Sequence, residues 1–162
     1  MNLQVKIINQ LTDNYSYIIF SKEKKEALVL DPAEPKPILN FLNSKELSLK
    51  GVLVTHHHSD HTQGVQEIKN RYKVEVYSPN NSIVGTTNLL VDKQKVDFGF
   101  VKFEIFSTPG HTLDHIVYYN NEEKILFSGD TLFYHGCGRI FEGTNEQMLK
   151  SLNKLKLLPN DT

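Results

Sequence analysis

From His56 to His61 the chain runs His-His-His-Ser-Asp-His, and it enters this run directly from the apolar stretch Val52-Leu53-Val54 and Thr55. Imidazole nitrogens and carboxylate oxygens together suit Zn²⁺ or another borderline first-row ion. Just after a strand the chain is expected to be extended still, so alternate side chains share a side. On that basis His56 and His58 converge while His57 points away. Asp60 continues the alternation, and His61 follows where the chain turns towards a helix. A polar loop that is rich in histidine by accident is the bland alternative, and two later clusters weaken it. Gly110-His111-Thr112 follows a strand and a Pro-Gly turn, and Gly129-Asp130 follows the apolar run Ile125–Phe127. Polar clusters that each follow a strand point to one metal site built on loops at an edge of the sheets.

The elements that must position these groups read as short strands, then mixed strand–helix units. Leu3–Ile8 and Tyr15–Phe20 are β-branched and aromatic, separated by Thr12-Asp13-Asn14. Ser21–Glu26 is a charged run expected at a solvated hairpin tip, and Ala27–Leu30 a short strand leading into Asp31-Pro32. Ile38, Leu39 and Leu42 fall at helical spacing, so Pro35–Asn43 is expected to be a short helix. Val52–Val54 reads as a brief buried strand and Gln63–Tyr72 as a helix with Val65, Ile68 and Tyr72 on one face. Val74–Tyr77, Val101–Phe106, Ile116–Tyr119 and Ile125–Phe127 read as further strands, whereas Asn80–Lys95 carries no decisive pattern. Thr144 with Gln147 forms a capping box that opens a helix carrying Met148, Leu152 and Leu155 on one face. The whole predicts a layered α/β fold.

At 162 residues the chain is the size of one domain, large enough to bury a core without a disulfide or metal as a staple. Lys and Arg number 18 against 19 Asp and Glu, which argues against a general nucleic-acid binder. A single cysteine leaves no internal disulfide, and no apolar run approaches the roughly 18 residues of a membrane span. The start, Met1-Asn2-Leu3-Gln4-Val5, lacks the features of a signal peptide. A reduced, cytoplasmic protein with no nucleic-acid or membrane partner is the expectation.

Thr55-His56-His57-His58-Ser59-Asp60-His61 resembles the T-H-x-H-x-D-H signature of the metallo-β-lactamase superfamily. Thr108-Pro109-Gly110-His111-Thr112 resembles its second motif, and Ser128-Gly129-Asp130-Thr131-Leu132-Phe133 its third. Within the superfamily, Leu11-Thr12-Asp13-Asn14-Tyr15, Gly136-Cys137-Gly138-Arg139 and Phe141-Glu142-Gly143-Thr144 are similar to glyoxalase II, the hydroxyacylglutathione hydrolases. The resemblance implies an α/β fold, a metallo-β-lactamase-like αββα sandwich, with residues 1–162 as its catalytic domain. It also implies that the chain stops at Thr162 before the fold's final strand, before a last His ligand and before a helical glutathione-binding domain, leaving the sandwich incomplete at the C-terminus. An exposed edge of that kind would favour self-association.

By the same resemblance His56, His58 and His111 would hold a first metal, Asp60 and His61 a second, and Asp130 would bridge both. Two Zn²⁺ would complete such a site, with iron or manganese as other occupants. Two cations sharing a water generate a hydroxide near neutral pH. Asp60 and Asp130, as ligands of that water's cations, would be the catalytic carboxylates. The implied reaction, part of methylglyoxal detoxification, is hydrolysis of S-D-lactoylglutathione to D-lactate and glutathione. Arg139 matches a basic residue that contacts glutathione, and Phe141 stands where that family commonly has a substrate-contacting Tyr, so a hydroxyl is missing there. Asp114 stands where the family usually has Gly, which leaves His115 a supporting role. Cys137, in Gly-Cys-Gly, reads as a small residue in a tight turn rather than a nucleophile. Two other functions fit the same residues: a persulfide dioxygenase with one iron held by His56, His111 and Asp130, and a truncated metal-binding domain without turnover.

Overall fold

The computed structural model describes residues 3–162; Met1 and Asn2, which open the segment read above as lacking a leader, lie outside the described residues. The β-branched N-terminal segments form an antiparallel hairpin of β1 (Leu3–Gln10) and β2 (Asn14–Ser21), with Gln10 opposite Asn14. The charged run is the exposed turn before β3 (Glu26–Leu30), with Lys25 at φ 55°. The chain then crosses over through α1 (Pro35–Ser44), entered by a proline, to β4 (Ser48–Leu53), which runs parallel to β3. A one-turn helix α2 (Ser59–Thr62) and α3 (Val65–Tyr72) lead to β5 (Glu75–Ser78), again parallel. The undecided stretch 80–95 consists of turns and the two-residue β6 (Asn88–Leu89), closing a sheet ordered β1-β2-β3-β4-β5-β6.

The second sheet, ordered β10-β9-β8-β7, is antiparallel throughout: β7 (Lys95–Asp97), β8 (Lys102–Ser107), β9 (Ile116–Asn120) and β10 (Ile125–Phe127). α4 (Asn145–Leu155) is capped by Thr144, whose Oγ1 accepts from the Gln147 amide while the Gln147 side chain accepts from the Thr144 amide. Its buried residues are Met148, Ser151 and Leu155; Leu152 is only half-buried, because Ser151 turns inward to donate to the Pro109 carbonyl at 2.8 Å.

Two apolar clusters hold the layers together. Ile38, Leu39 and Leu42 of α1 and Val65 and Ile68 of α3 pack on one face of the first sheet against Ile18, Val29, Val52 and Val76. The other face, with Ile19, Leu28, Leu30 and Leu53, meets Phe103, Ile105, Ile116, Tyr118 and Phe127 of the second sheet. With α4 lying against the loop that leaves β8, the layering is αββα. β3 from Ala27 and the end of β4 from Gly51 are apolar without interruption because both faces are covered there. Phe103 meets Tyr118 and Phe127 edge-on at centroid separations of 5.9 and 6.0 Å. The fully buried Tyr118 donates its hydroxyl to the Val54 carbonyl at 2.8 Å, tying the second sheet to the strand that feeds the histidine run. No helix of the described residues is long and apolar enough to cross a membrane.

Candidate metal centre

Several strand ends converge. Asp31 follows β3, Thr55 and the histidines follow β4, His111 follows β8, and Asp130 follows β10. His56 Nε2 lies 3.1 Å from His58 Nδ1, which lies 3.0 Å from His111 Nε2. These separations approach the roughly 3.3 Å edge of a tetrahedron with zinc–nitrogen bonds of about 2 Å, so the donor set fits a divalent ion. A second group combines His56, His61 and Asp130. Asp130 sits between the two: Oδ2 is 3.3 Å from His111 Nε2 and Oδ1 is 3.3 Å from His61 Nε2.

Hydrogen bonds from outside aim three of the rings. The His111 Nδ1 proton faces the Arg139 carbonyl at 2.6 Å, which leaves Nε2 as the inward lone pair. Thr55 donates its hydroxyl to Asp31 Oδ2 at 2.7 Å, so its oxygen accepts from His56 Nδ1 at 2.9 Å. His61 Nδ1 lies 3.0 Å from the same Asp31 oxygen. Asp31, 2% exposed, thus orients His56 through Thr55 and His61 directly, and its Oδ1 accepts from the Thr55 amide at 2.7 Å. The partners of Asp31 lie 24 and 30 residues away, beyond any local pattern.

Asp60 departs from the expected alternation. The strand ends at Leu53, the chain bends at residues 55–57, and after His58, with φ −59° and ψ 142°, Ser59 begins the helical turn. Asp60 lies at the edge of the second group: its Oδ2 is 3.8 Å from His61 Nε2 and accepts from Asn14 Nδ2 at 2.8 Å. His57 does point away, towards Asp114 and Glu142. His115 is buried; its Nε2 accepts from the Asp130 amide at 3.0 Å while its Nδ1 faces the hydroxyls of Thr108 and Thr131 at 2.9 and 3.0 Å. Gly129, at φ +48°, passes so close that a Cβ there would lie 2.7 Å from His115 Nε2. His135 and the free Cys137 are exposed in the loop beyond.

Burial, reinforced by the surrounding imidazoles, pushes His56 far below the ordinary histidine range, and burial with His111 nearby lowers His58. Burial likewise pushes His115 down to about 3. His61 goes the other way: burial opposes its charge, but Asp31 and Asp130 outweigh it and raise the group to about 10. Burial opposes ionisation of Asp130, yet the hydrogen bond and charge of His61 hold its carboxyl below the usual range. The metal-free protein therefore carries an imidazolium at His61 where a ligand would need a lone pair. Its contribution to metal-free stability is full below about pH 6.5 and is lost as pH rises through about 10.

Asp60, His61, His111 and Asp130 line an open cavity of about 690 Å³ whose walls include Tyr15, Leu132, Phe133, Arg139 and Phe141. The Phe141 ring stands edge-on to His58 and His111, with centroids 5.6 and 5.3 Å away. Arg139 contributes its carbonyl to the centre and an exposed side chain to the wall.

Residues 11–162 match the Metallo-beta-lactamase superfamily. The chain is 46% identical over 161 residues to a hydroxyacylglutathione hydrolase of Pseudoalteromonas translucida, covering 98% of this chain and 62% of that protein. It is 44% identical over 164 residues to the hydroxyacylglutathione hydrolase of Pelagibacter ubique, covering 99% and 68%. The chain thus spans roughly two-thirds of the length of these curated relatives. Among solved structures, ETHE1 from Myxococcus xanthus superposes with a TM-score of 0.87 at 28% identity, over 100% of this chain and 73% of that one.

Proposed function

Because the chain belongs to the metallo-β-lactamase superfamily, we propose that it holds divalent metal ions and hydrolyses a glutathione thioester, S-D-lactoylglutathione, to D-lactate and glutathione. The observation that carries this reading is Asp130, whose two oxygens reach one imidazole of each cluster. The similarity to curated hydroxyacylglutathione hydrolases gives the substrate class. Residues 1–162 act as one catalytic domain. His56, His58 and His111 hold one ion; His61, Asp60 and Asp130 serve the other, with Asp130 shared.

Bound ions supply Lewis acidity that acidifies water and polarises the thioester carbonyl. The chain's own groups do the rest. Asp31, Thr55 and the Arg139 carbonyl fix which nitrogens face inward, so the donors are set before substrate arrives. A thiol leaves with a pKa near 8.5 and needs no general acid, in keeping with an Asp130 carboxyl held below the usual range by His61. The exposed Arg139 guanidinium matches a carboxylate of the glutathione moiety, and the Phe141 ring offers an apolar wall without a hydroxyl. Zinc fits the imidazole-rich donors, and a cytoplasmic setting fits a thiol-bearing substrate.

The ring of His61 yields a test of the metal reading. Titrating metal-free protein with Zn²⁺ at pH 7 should release about one proton that is absent in His61→Gln, because His61 must give up its proton to ligate. Neither His56 nor His58 adds to this release. A pH-indicator titration in weak buffer measures it, and equal release by both proteins would remove His61 from the ligand set.

For the substrate, Arg139→Ala should raise KM for lactoylglutathione about fivefold and change kcat little, as expected for an exposed carboxylate contact. An unchanged KM would take Arg139 out of the binding site. Metal analysis and a lactoylglutathione assay on the same preparation test the function itself. Metal-dependent thioester cleavage is expected. The fold shared with ETHE1 keeps a second reading open to the same experiment: oxygen consumption on a persulfide with one bound iron would replace the hydrolase.

A further inference from the structure

We propose that His57, which ligates nothing in either cluster, is a positioning residue that clamps the 138–143 loop onto the metal centre through Glu142 and Asp114. The proposal rests on the metal-site reading above. Three chain segments meet at this ring. Its Nδ1 lies 2.9 Å from Asp114 Oδ1, three residues beyond His111, and its Nε2 lies 3.2 Å from Glu142 Oε1, beside Phe141. Each carboxylate is anchored further. Asp114 accepts from the Thr112 hydroxyl at 2.7 Å and from Asn80 Nδ2 at 3.2 Å, and Glu142 Oε2 accepts from the Leu113 amide at 2.8 Å. The clamp therefore joins the loop carrying His56 and His58 to the one carrying His111 and to the one carrying Arg139 and Phe141.

The last loop acts directly on the centre. The Arg139 carbonyl sets the His111 tautomer, the Phe141 amide donates to the His111 carbonyl at 3.1 Å, and the Phe141 ring covers His58 and His111. Between Gly138, whose amide donates to the Asp130 carbonyl at 3.0 Å, and Gly143, whose amide donates to the Gly110 carbonyl at 3.1 Å, Glu142 is the side chain that reaches across to the histidine run. Releasing it removes the side-chain tie that holds this loop against the histidine run and leaves the backbone bonds to His111, Asp130 and Gly110 to bear it.

His57, Asp114 and Glu142 also lie close enough together to hold a cation. Every oxygen of the two carboxylates already has a polar partner within 3.2 Å, however: His57 and Thr112, Asn80, Leu113, and His57 again. An ion would have to break these contacts, so the cluster works as a clamp.

The test is the rate at which a chelator strips Co²⁺ from the loaded full chain, followed by the cobalt absorption band, alongside thermal melting. His57→Ala and Glu142→Ala should each speed loss of the ion by about tenfold, and the double variant by less than the product of the two, since they share the His57–Glu142 contact. Glu142→Gln should restore slow loss, because its amide can donate to His57 Nε2 while its oxygen still accepts from Leu113. Lower melting temperatures with unchanged cobalt loss would reduce the cluster to a surface bridge and overturn the proposal. Loss of one whole metal equivalent in His57→Ala would overturn it in favour of a cation site. Absence of thioester cleavage by the wild-type chain would defeat the proposed substrate while leaving the cobalt result intact.

Discussion

Asp130→Asn should lower thioester cleavage by roughly 100- to 1000-fold and remove about one bound ion per chain, the scale expected when a group acting at the reacting centre is lost. The substitution keeps the shape of the side chain and leaves the backbone anchored from both sides, by the amide bond to His115 and the carbonyl bond from Gly138, at 3.0 Å each. What it removes is the charge whose oxygens lie 3.3 Å from His61 Nε2 and from His111 Nε2. An amide can present an oxygen to one of these rings but only protons to the other, so one cluster loses its anionic donor. Metal analysis after dialysis and a lactoylglutathione assay measure both effects. A variant retaining wild-type metal with activity within threefold would show that Asp130 is not shared between the clusters.

The second large effect is expected at Asp31, which touches no reacting group. Asp31→Asn should weaken metal binding by roughly 10- to 100-fold and destabilise the metal-free protein by about 3 kcal/mol. Asp31 sits at φ 51°, a left-handed conformation that Asn also tolerates, so the backbone is not the source of the loss. The carboxylate, however, accepts from the Thr55 amide and hydroxyl and from His61 Nδ1 in a site almost closed to water. An amide nitrogen must face at least one of these donors, leaving a buried proton without an acceptor. Urea unfolding of the metal-free chain separates the stability term from ligand linkage, and chelator competition gives the affinity. Unchanged chelator competition alongside lowered stability would confine Asp31 to a folding role.

Much of the scaffold was legible because its signals are local. Strands β1, β2, β3, β8, β9 and β10 carry runs of β-branched and aromatic residues, and α4 announces itself by Thr144 and Gln147. The stretch 80–95 gave no pattern because it consists of turns and the two-residue β6, too short for a period to show. Within the site, His56 and His58 do converge, but the strand stops at Leu53 and the chain bends at residues 55–57, so their facing owes as much to that bend as to the strand before it. Asp60 lies beyond the reach of strand alternation, since a helical turn begins at Ser59 and its place beside Asn14 and His61 is a tertiary matter.

By itself the sequence determined the chemistry available: imidazoles and carboxylates gathered just after apolar strands, in spacing that resembles one superfamily. Only the tertiary structure decided how they are used. Which nitrogen of each ring faces inward depends on Asp31, Thr55 and the Arg139 carbonyl, and the exposed-looking His57 proves to be a junction with Asp114 and Glu142. The physical reason is one of range. Periodicity and capping reach only a few residues along the chain, whereas His111 meets Arg139 across 28 positions, His58 across 53, and His57 meets Asp114 across 57. Those pairs exist because two sheets pack face to face and bring their strand ends to one edge, and no stretch of chain short enough to show a pattern contains both partners.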